Sequence, residues 1–230
     1  MLTMILVIDT STRNASVGLI NKDQVLKEIN WFSPKNHSIE LLPNIKTLFD
    51  DSGQKQSKLN CVFVVNGPGS FSAIRVGVSV AKAISTTLSI SLIGINSLQV
   101  EFEPFKSQNK NCWAIIPAGK LKYYVGIFST SDYNVNEPPE MTVMNHQELI
   151  EKIPNNTSIC GEAAFDIYSD SIATEKQIKI LPSTQPTRKC IDIYNLGNKK
   201  LCDNLVDNPL TLEPIYLRSS QIANANKNLH

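Results

Sequence analysis

The sequence predicts a duplicated α/β fold of two units, and three observations carry that prediction. The first apolar segments are strand-like runs, Met4 to Ile8, Ala15 to Ile20 and Val25 to Trp31, with no helical segment between them. A polar stretch, Lys106 to Asn111, then interrupts the chain near its middle. Beyond it strands near 112–116, 122–129 and 140–144 again precede any helix. A doubly wound dinucleotide fold would instead place a helix after its first strand.

The elements follow in order. Asp9-Thr10-Ser11-Thr12 is a polar turn after the first strand, and Asn21-Lys22-Asp23 turns the second into the third. From His37 to Asp51, Leu41, Leu42, Ile45, Leu48 and Phe49 fall at helical spacing and form one apolar stripe. Pro43 is expected to kink that helix or end its first turns, and Gly53 to stop it. Cys61 to Val65 reads as a short buried strand, followed by the tight turn Asn66-Gly67-Pro68-Gly69. Ser70 or Ser72 can cap the helix that runs to about Leu88. Ile90 to Ile95 is the next strand, and Ser97 is placed to cap a short helix. The second unit continues with a helix near 145–152, a strand near 157–160 and a helix near 162–173. A strand at Ile178 to Leu181 and a helix near 188–205 complete it. The units are residues 1–105 and 106–221, with the Asn-rich tail 222–230 expected to be frayed. Two halves that each open with a strand meander match the actin, Hsp70 and sugar-kinase architecture, a ribonuclease H-like (ASKHA) fold.

Composition narrows the function. Of 230 residues, 42% are apolar and 19% charged, which suits a soluble globular protein. The net charge of +1 leaves no basic footprint for nucleic acid. Only Arg13, Arg75, Arg188 and Arg218 carry guanidinium groups, and they are scattered. Five cysteines without a C-x-x-C pair argue against a disulfide framework or a zinc ribbon; Cys61 reads as a buried small hydrophobe. No uninterrupted apolar run approaches the ~20 residues that span a bilayer, and the first apolar run is too short for a signal peptide. The expected location is cytoplasmic, with no membrane partner.

Candidate sites are few. In an actin-like architecture, Asp9, Thr10 and Ser11 would point at nucleotide phosphates; alternatively Asp9 serves local backbone amides in a polar turn. A working phosphotransferase also needs an acidic loop opening its second half, and Ile116-Pro117-Ala118-Gly119-Lys120 has no carboxylate there. Gly67-Pro68-Gly69-Ser70-Phe71 opens a helix whose amides could receive an anion, but it lacks the Gly-Lys-Ser/Thr ending of a P-loop and the G-x-S-x-G of a nucleophile elbow. Ala73, Gly77, Ala81 and Ser85 form a small-residue strip, and Gly77 costs its helix about 1 kcal/mol relative to Ala. Close approach of the protein's own sheet, another of its helices or a partner would offset that. The three histidines form no metal-binding pair: four residues after His37 stands Leu41.

Several blocks taken together resemble the TsaB family. They are Val7-Ile8-Asp9-Thr10-Ser11, His37-Ser38 with Leu41-Leu42-Pro43, and Asn66-Gly67-Pro68-Gly69-Ser70-Phe71 with Arg75-Val76-Gly77. Gly94-Ile95-Asn96-Ser97-Leu98 and Glu213-Pro214-Ile215-Tyr216-Leu217-Arg218 complete the set in the family's order. The resemblance implies a degenerate nucleotide site; the missing acidic loop and metal pair argue for no catalytic residue and no cofactor of its own. The resemblance further implies assembly with the larger catalytic paralogue TsaD and the ATPase TsaE, which put a threonylcarbamoyl group on an adenosine beside the tRNA anticodon. The chain would be a non-catalytic scaffold meeting tRNA only through that complex, with a homodimer as a further possibility. TsaD carries a metal-binding His-x-x-x-His where this chain has His37 and Leu41. The alternative is an enzyme of the superfamily, either a kinase or a TsaD-like glycopeptidase. Carried over from the family, the partner-facing surface comprises His37, Ser38, Leu41, Leu42, Ile45, Phe49, Ala73, Arg75, Gly77 and Ala81. The family's second half usually opens with an Asp-Ala-Arg-type segment, where this chain has Pro117-Ala118-Gly119-Lys120.

Overall fold

The computed structural model describes residues 4–107, 111–131, 133–167, 174–181 and 186–217. Strands β1 (Met4–Asp9), β2 (Asn14–Asn21) and β3 (Gln24–Phe32) form the opening meander. Helix α1 (His37–Ser52), β4 (Leu59–Gly67), α2 (Phe71–Leu88), β5 (Ser91–Asn96) and α3 (Ser97–Phe102) follow. Their strands make one sheet in the order β3-β2-β1-β4-β5, antiparallel across the meander and parallel from β1 onward. The second sheet is built from β6 (Asn111–Pro117), β7 (Lys122–Ser129), β8 (Glu140–Asn145), β9 (Ser158–Cys160) and β10 (Lys179–Ile180). Its order, β8-β7-β6-β9-β10, repeats the first sheet strand for strand and sense for sense. The duplication inferred from the sequence is therefore present in the hydrogen bonding.

Local chemistry explains most of the boundaries. Lys22 and Asp23 both take positive φ, 48° and 65°, the primed turn that a two-residue hairpin requires. Gly53 ends α1 at φ 65°. Pro43 does not end α1, which runs on for 16 residues; the proline sits on the exposed side, where water can serve the carbonyl it leaves unpaired. Ser70 stands at the N-cap of α2 without a side-chain cap bond. Ser97 does not cap α3 either: Asn96 accepts from the amides of Leu98 and Gln99, while the Ser97 hydroxyl donates to the Pro68 carbonyl. In the second unit, Asn145 and Glu148 form a capping box at the start of α4 (His146–Lys152). Of the helix expected near 162–173, residues 164–167 form a 3-10 turn, and 168–173 lie outside the described residues, as does the tail 222–230.

Alternation along the central strands decides where each helix sits. Leu6, Ile8, Val62 and Val64 face α1 and α2, packing on Leu41, Leu48 and Ile74. Ile5, Val7, Phe63 and Val65 face the other way, against α5 (Cys190–Cys202) through Ile193 and Leu196. The last helix thus returns to the first sheet, although the sequence places it within the second unit. The segment after it stays there too: Asp207 bridges Leu92 at the β5 edge, Leu212 joins the first core, and the Ile215 amide donates to the Asn66 carbonyl at 2.7 Å. The division at 105/106 coincides with the change of sheet, but residues 190–217 pack with the first unit. Conversely, Leu98 and Phe102 of α3 pack on Ala114, Ile116 and Phe128 of the second sheet. The two halves are laced together at both crossings.

Asp192, in the first turn of α5, gives a pH-dependent prediction. Burial, and then the neighbouring Glu103 and Glu28 charges, push its carboxyl up to about 6 from 3.8. The folded chain therefore holds this proton more tightly than the unfolded chain. The resulting cost is absent below pH 3.8, grows as pH rises and is complete above pH 6. With a discount for its partial exposure and for the lost helix-dipole contact, Asp192→Asn is expected to stabilise the fold by about 1 kcal/mol at pH 7.5. Melting curves should show that gain vanish at pH 3.5.

Candidate functional site

The turn after β1 is where the two halves meet. Asp9 is buried, and its Oδ1 accepts from the Ser11 amide at 2.8 Å and the Ser11 hydroxyl at 2.6 Å. Its Oδ2 accepts from Arg188 Nε at 2.7 Å. Arg188 stands just before α5 with its side chain 2% exposed. Its Nη1 donates to Glu101 at 2.5 Å and to Glu162 at 3.0 Å. Its Nη2 donates to the Thr12 hydroxyl at 2.6 Å and to the Asn14 carbonyl at 3.4 Å. All five N–H groups of the guanidinium are therefore engaged, each on a different acceptor. Thr12 in turn donates to Glu162 at 2.7 Å, and Thr187 to Glu101 at 2.8 Å.

Four elements supply this cluster: the β1–β2 turn, α3, the segment after β9 and the approach to α5. Burial works against the Arg188 charge, but Asp9, Glu101 and Glu162 outweigh it and the net shift is upward. Burial pushes the Glu101 carboxyl up, against the opposing pull of Arg188 and Thr187. Chemically the arrangement is a sealed ion-pair network: the Asp9 oxygens that would face a phosphate or its metal are bonded to Arg188 and Ser11. The corresponding end of β6 carries Ala118, Gly119 and Lys120, where the Ala118 amide closes a hairpin onto the Lys122 carbonyl at 2.8 Å.

The glycine loop before α2 is pressed onto the same turn. The Ser70 amide donates to the Ser11 carbonyl at 2.7 Å, so it is not free to receive an anion. A Cβ at Gly69 would overlap that same carbonyl. One turn further along α2, the Thr10 hydroxyl donates to the Ala73 carbonyl at 2.7 Å, and a Cβ at Gly77 would overlap Thr10 Oγ1. The small-residue strip is thus explained by the protein's own first turn and sheet.

The residues carried over as a partner surface divide into two groups. Leu41, Ile45, Phe49, Ala73, Gly77 and Ala81 are buried, though Ile45 and Phe49 also line the cavity between the two helices. His37 is buried as well, its Nε2 lying 2.9 Å from the Thr12 carbonyl. Ser38, Leu42 and Arg75 are exposed. The outer face of the α1–α2 pair consists of Ile39, 70% exposed, Leu42, 56% exposed, and the half-buried Val76, Val80 and Ile84. A cavity of about 140 Å³ opens between the helices beside Leu42 and Ile84. At the N-terminal end of α2, Arg75 lies over the Phe71 ring at 4.1 Å and donates to the Tyr216 hydroxyl at 2.8 Å.

Sequence reading missed Arg188, Glu101, Glu162 and Thr187. A signal existed for one of them: Glu101 lies between Val100 and Phe102 in a short apolar helix, and a carboxylate there needs a buried counter-ion. Which cation answers it, 87 residues away, is set by tertiary structure. Among the described residues no group of three or more His, Cys, Asp or Glu is arranged to hold a metal, and no helix is long and apolar enough to cross a membrane.

A family model described as TsaD, tRNA N6-adenosine threonylcarbamoyltransferase, matches residues 29–174. The tRNA threonylcarbamoyladenosine biosynthesis protein TsaB of Bacillus subtilis (strain 168) is 34% identical over 95 residues, 41% of this chain. That match spans 42% of the relative's own length. The protein of the same name from Buchnera aphidicola subsp. Acyrthosiphon pisum is 30% identical over 192 residues, covering 80% of this chain and 86% of that protein. Among solved structures, YeaZ from Pseudomonas aeruginosa superposes with a TM-score of 0.73 at 18% identity, covering 94% of this chain and 100% of that one. The fold is the duplicated actin-like one.

Proposed function

The chain belongs to the TsaB family of tRNA threonylcarbamoyladenosine biosynthesis proteins, and from that premise we propose that it serves as a non-catalytic scaffold for a TsaD-like catalytic subunit in the cytoplasm. The observation that carries this reading is the α1–α2 face. Ile39 and Leu42 stand exposed beside a groove lined by Ile84 and Leu88, an apolar surface of the kind that covers itself with another protein. A TsaD-like protein is the occupant to which the family points; a TsaE-like ATPase completes the assembly, and a second copy of the chain competes for the same face.

The absence of catalysis is supported by the Asp9 environment. A nucleotide-dependent reaction would need the carboxylate that Arg188 holds, and an acidic residue at the end of β6 where Ala118-Gly119-Lys120 stands. Transfer RNA is reached through the complex, in keeping with a net charge of +1.

Leu42→Arg tests the reading without touching the core. The variant is expected to melt within a degree or two of wild type and to bind the TsaD-like protein of the same organism at least about tenfold more weakly. Reconstituted tRNA modification should fall in parallel. Unchanged binding by a folded variant would remove α1–α2 as the docking face.

A further inference from the structure

Resting on the docking role proposed above, we infer that Arg188 is a positioning residue: a built-in cation that fixes the α1–α2 face through the turn at residues 9–12. Three bonds tie that turn to the two helices. The Thr12 carbonyl meets Nε2 of His37, the first residue of α1, at 2.9 Å. The Ser11 carbonyl accepts from the amide of Ser70, at the N-cap of α2, at 2.7 Å. The Thr10 hydroxyl donates to Ala73 in the first turn of α2 at 2.7 Å. Neither helix has a side-chain cap bond of its own, so these contacts set where each one begins.

The turn is in turn held by Arg188. Asp9 Oδ2 and Thr12 Oγ1 both accept from its guanidinium, and Glu162 links the same group to the end of β9 in the second sheet. Without a cation among them, the buried carboxylates of Asp9, Glu101 and Glu162 would repel one another and disfavour their charged forms. In an actin-like enzyme a metal ion accompanying the nucleotide would supply positive charge at such carboxylates. Here the side chain supplies it permanently, through five donors in a planar fork that lysine cannot reproduce. The docking face keeps one shape because its anchor is bonded on both sides.

Hydrogen exchange on the isolated chain tests this alongside partner affinity, both at a fixed interval below each variant's melting temperature. Arg188→Gln is expected to raise exchange about tenfold or more at residues 9–12 and in the first turns of α1 and α2, leaving β7 and β8 unchanged. Affinity for the TsaD-like protein should fall about tenfold although the residue 188 side chain is only 2% exposed. Arg188→Lys restores charge without the fork and should fall between the two. If Arg188→Gln does not fold, the lysine variant carries the test by the same regional pattern. Wild-type exchange at 37–40 and 71–74 in a folded variant, or uniform loosening of both sheets, overturns the inference. If wild type fails to bind the partner, the docking role falls, while the exchange pattern still judges the positioning role.

Discussion

A Gly77→Leu chain is expected to lose about 3 kcal/mol or more of folding stability, enough to leave a domain of this size largely insoluble at 37 °C. The helix itself would prefer leucine: removing glycine from the interior of α2 returns about 1 kcal/mol of propensity. Against that gain stands the position of Thr10. A Cβ at residue 77 overlaps Thr10 Oγ1 and reaches toward the Ile8 side chain, both in β1 and its turn at the centre of the first sheet. Relief requires α2 to lift from β1, which breaks the bond from Thr10 to the Ala73 carbonyl and opens the core around Ile74 and Val78. Gly77→Ala isolates the steric part, since its single added carbon already overlaps the hydroxyl. Urea titration should rank wild type above alanine and alanine above leucine, with Ala83→Leu on the exposed side of the same helix close to wild type. An alanine variant more stable than wild type would show that propensity, not contact, governs the site.

That glycine also shows what could be read from the chain and what could not. The period-four strip of small residues announced a close approach, because an interior glycine needs one. It did not name the approaching group, which lies 67 residues earlier in sequence at Thr10. The same division runs through the fold. Strand meanders, the Gly53 stop and the duplicated order are local or periodic signals, and they stood in the sequence at nearly their final boundaries. The return of α5 to the first sheet was not legible. Its apolar positions would suit any sheet face, and only the double-sided burial of β1 and β4 shows that a second cover is needed. The α1 stripe has to be divided in a related way. Leu41 is buried wholly in the core, Ile45 and Phe49 pack there and also line the groove, and positions 39 and 42 are exposed. A stripe identifies the inward face of a helix; an outward apolar face has to be found by exposure.

Asp9→Ala is expected to cost about 3–5 kcal/mol of stability, and that cost separates a structural carboxylate from a catalytic one. The substitution leaves Arg188 Nε and both Ser11 donors without their acceptor in a buried site. Glu101 and Glu162 still neutralise the guanidinium, which keeps the loss below that of an isolated buried charge. Asp9→Asn preserves the shape and one acceptor oxygen but surrenders the ion pair, so it should lie between alanine and wild type. A catalytic or metal-holding aspartate gives the opposite pattern, because such residues are strained by mutual repulsion and their removal is often tolerated by the fold. Melting with and without magnesium-ATP completes the comparison. A ligand held by Asp9 would stabilise wild type by an amount that grows with the logarithm of its concentration over Kd, whereas a carboxylate already bonded to Arg188 has nothing to offer it. The expected result is therefore a wild-type melting temperature indifferent to the nucleotide and a large loss in Asp9→Ala under either condition. A nucleotide-dependent rise in wild type that disappears in a well-folded Asp9→Ala chain would return the enzyme reading, and Arg188 would then be a gate that the nucleotide displaces.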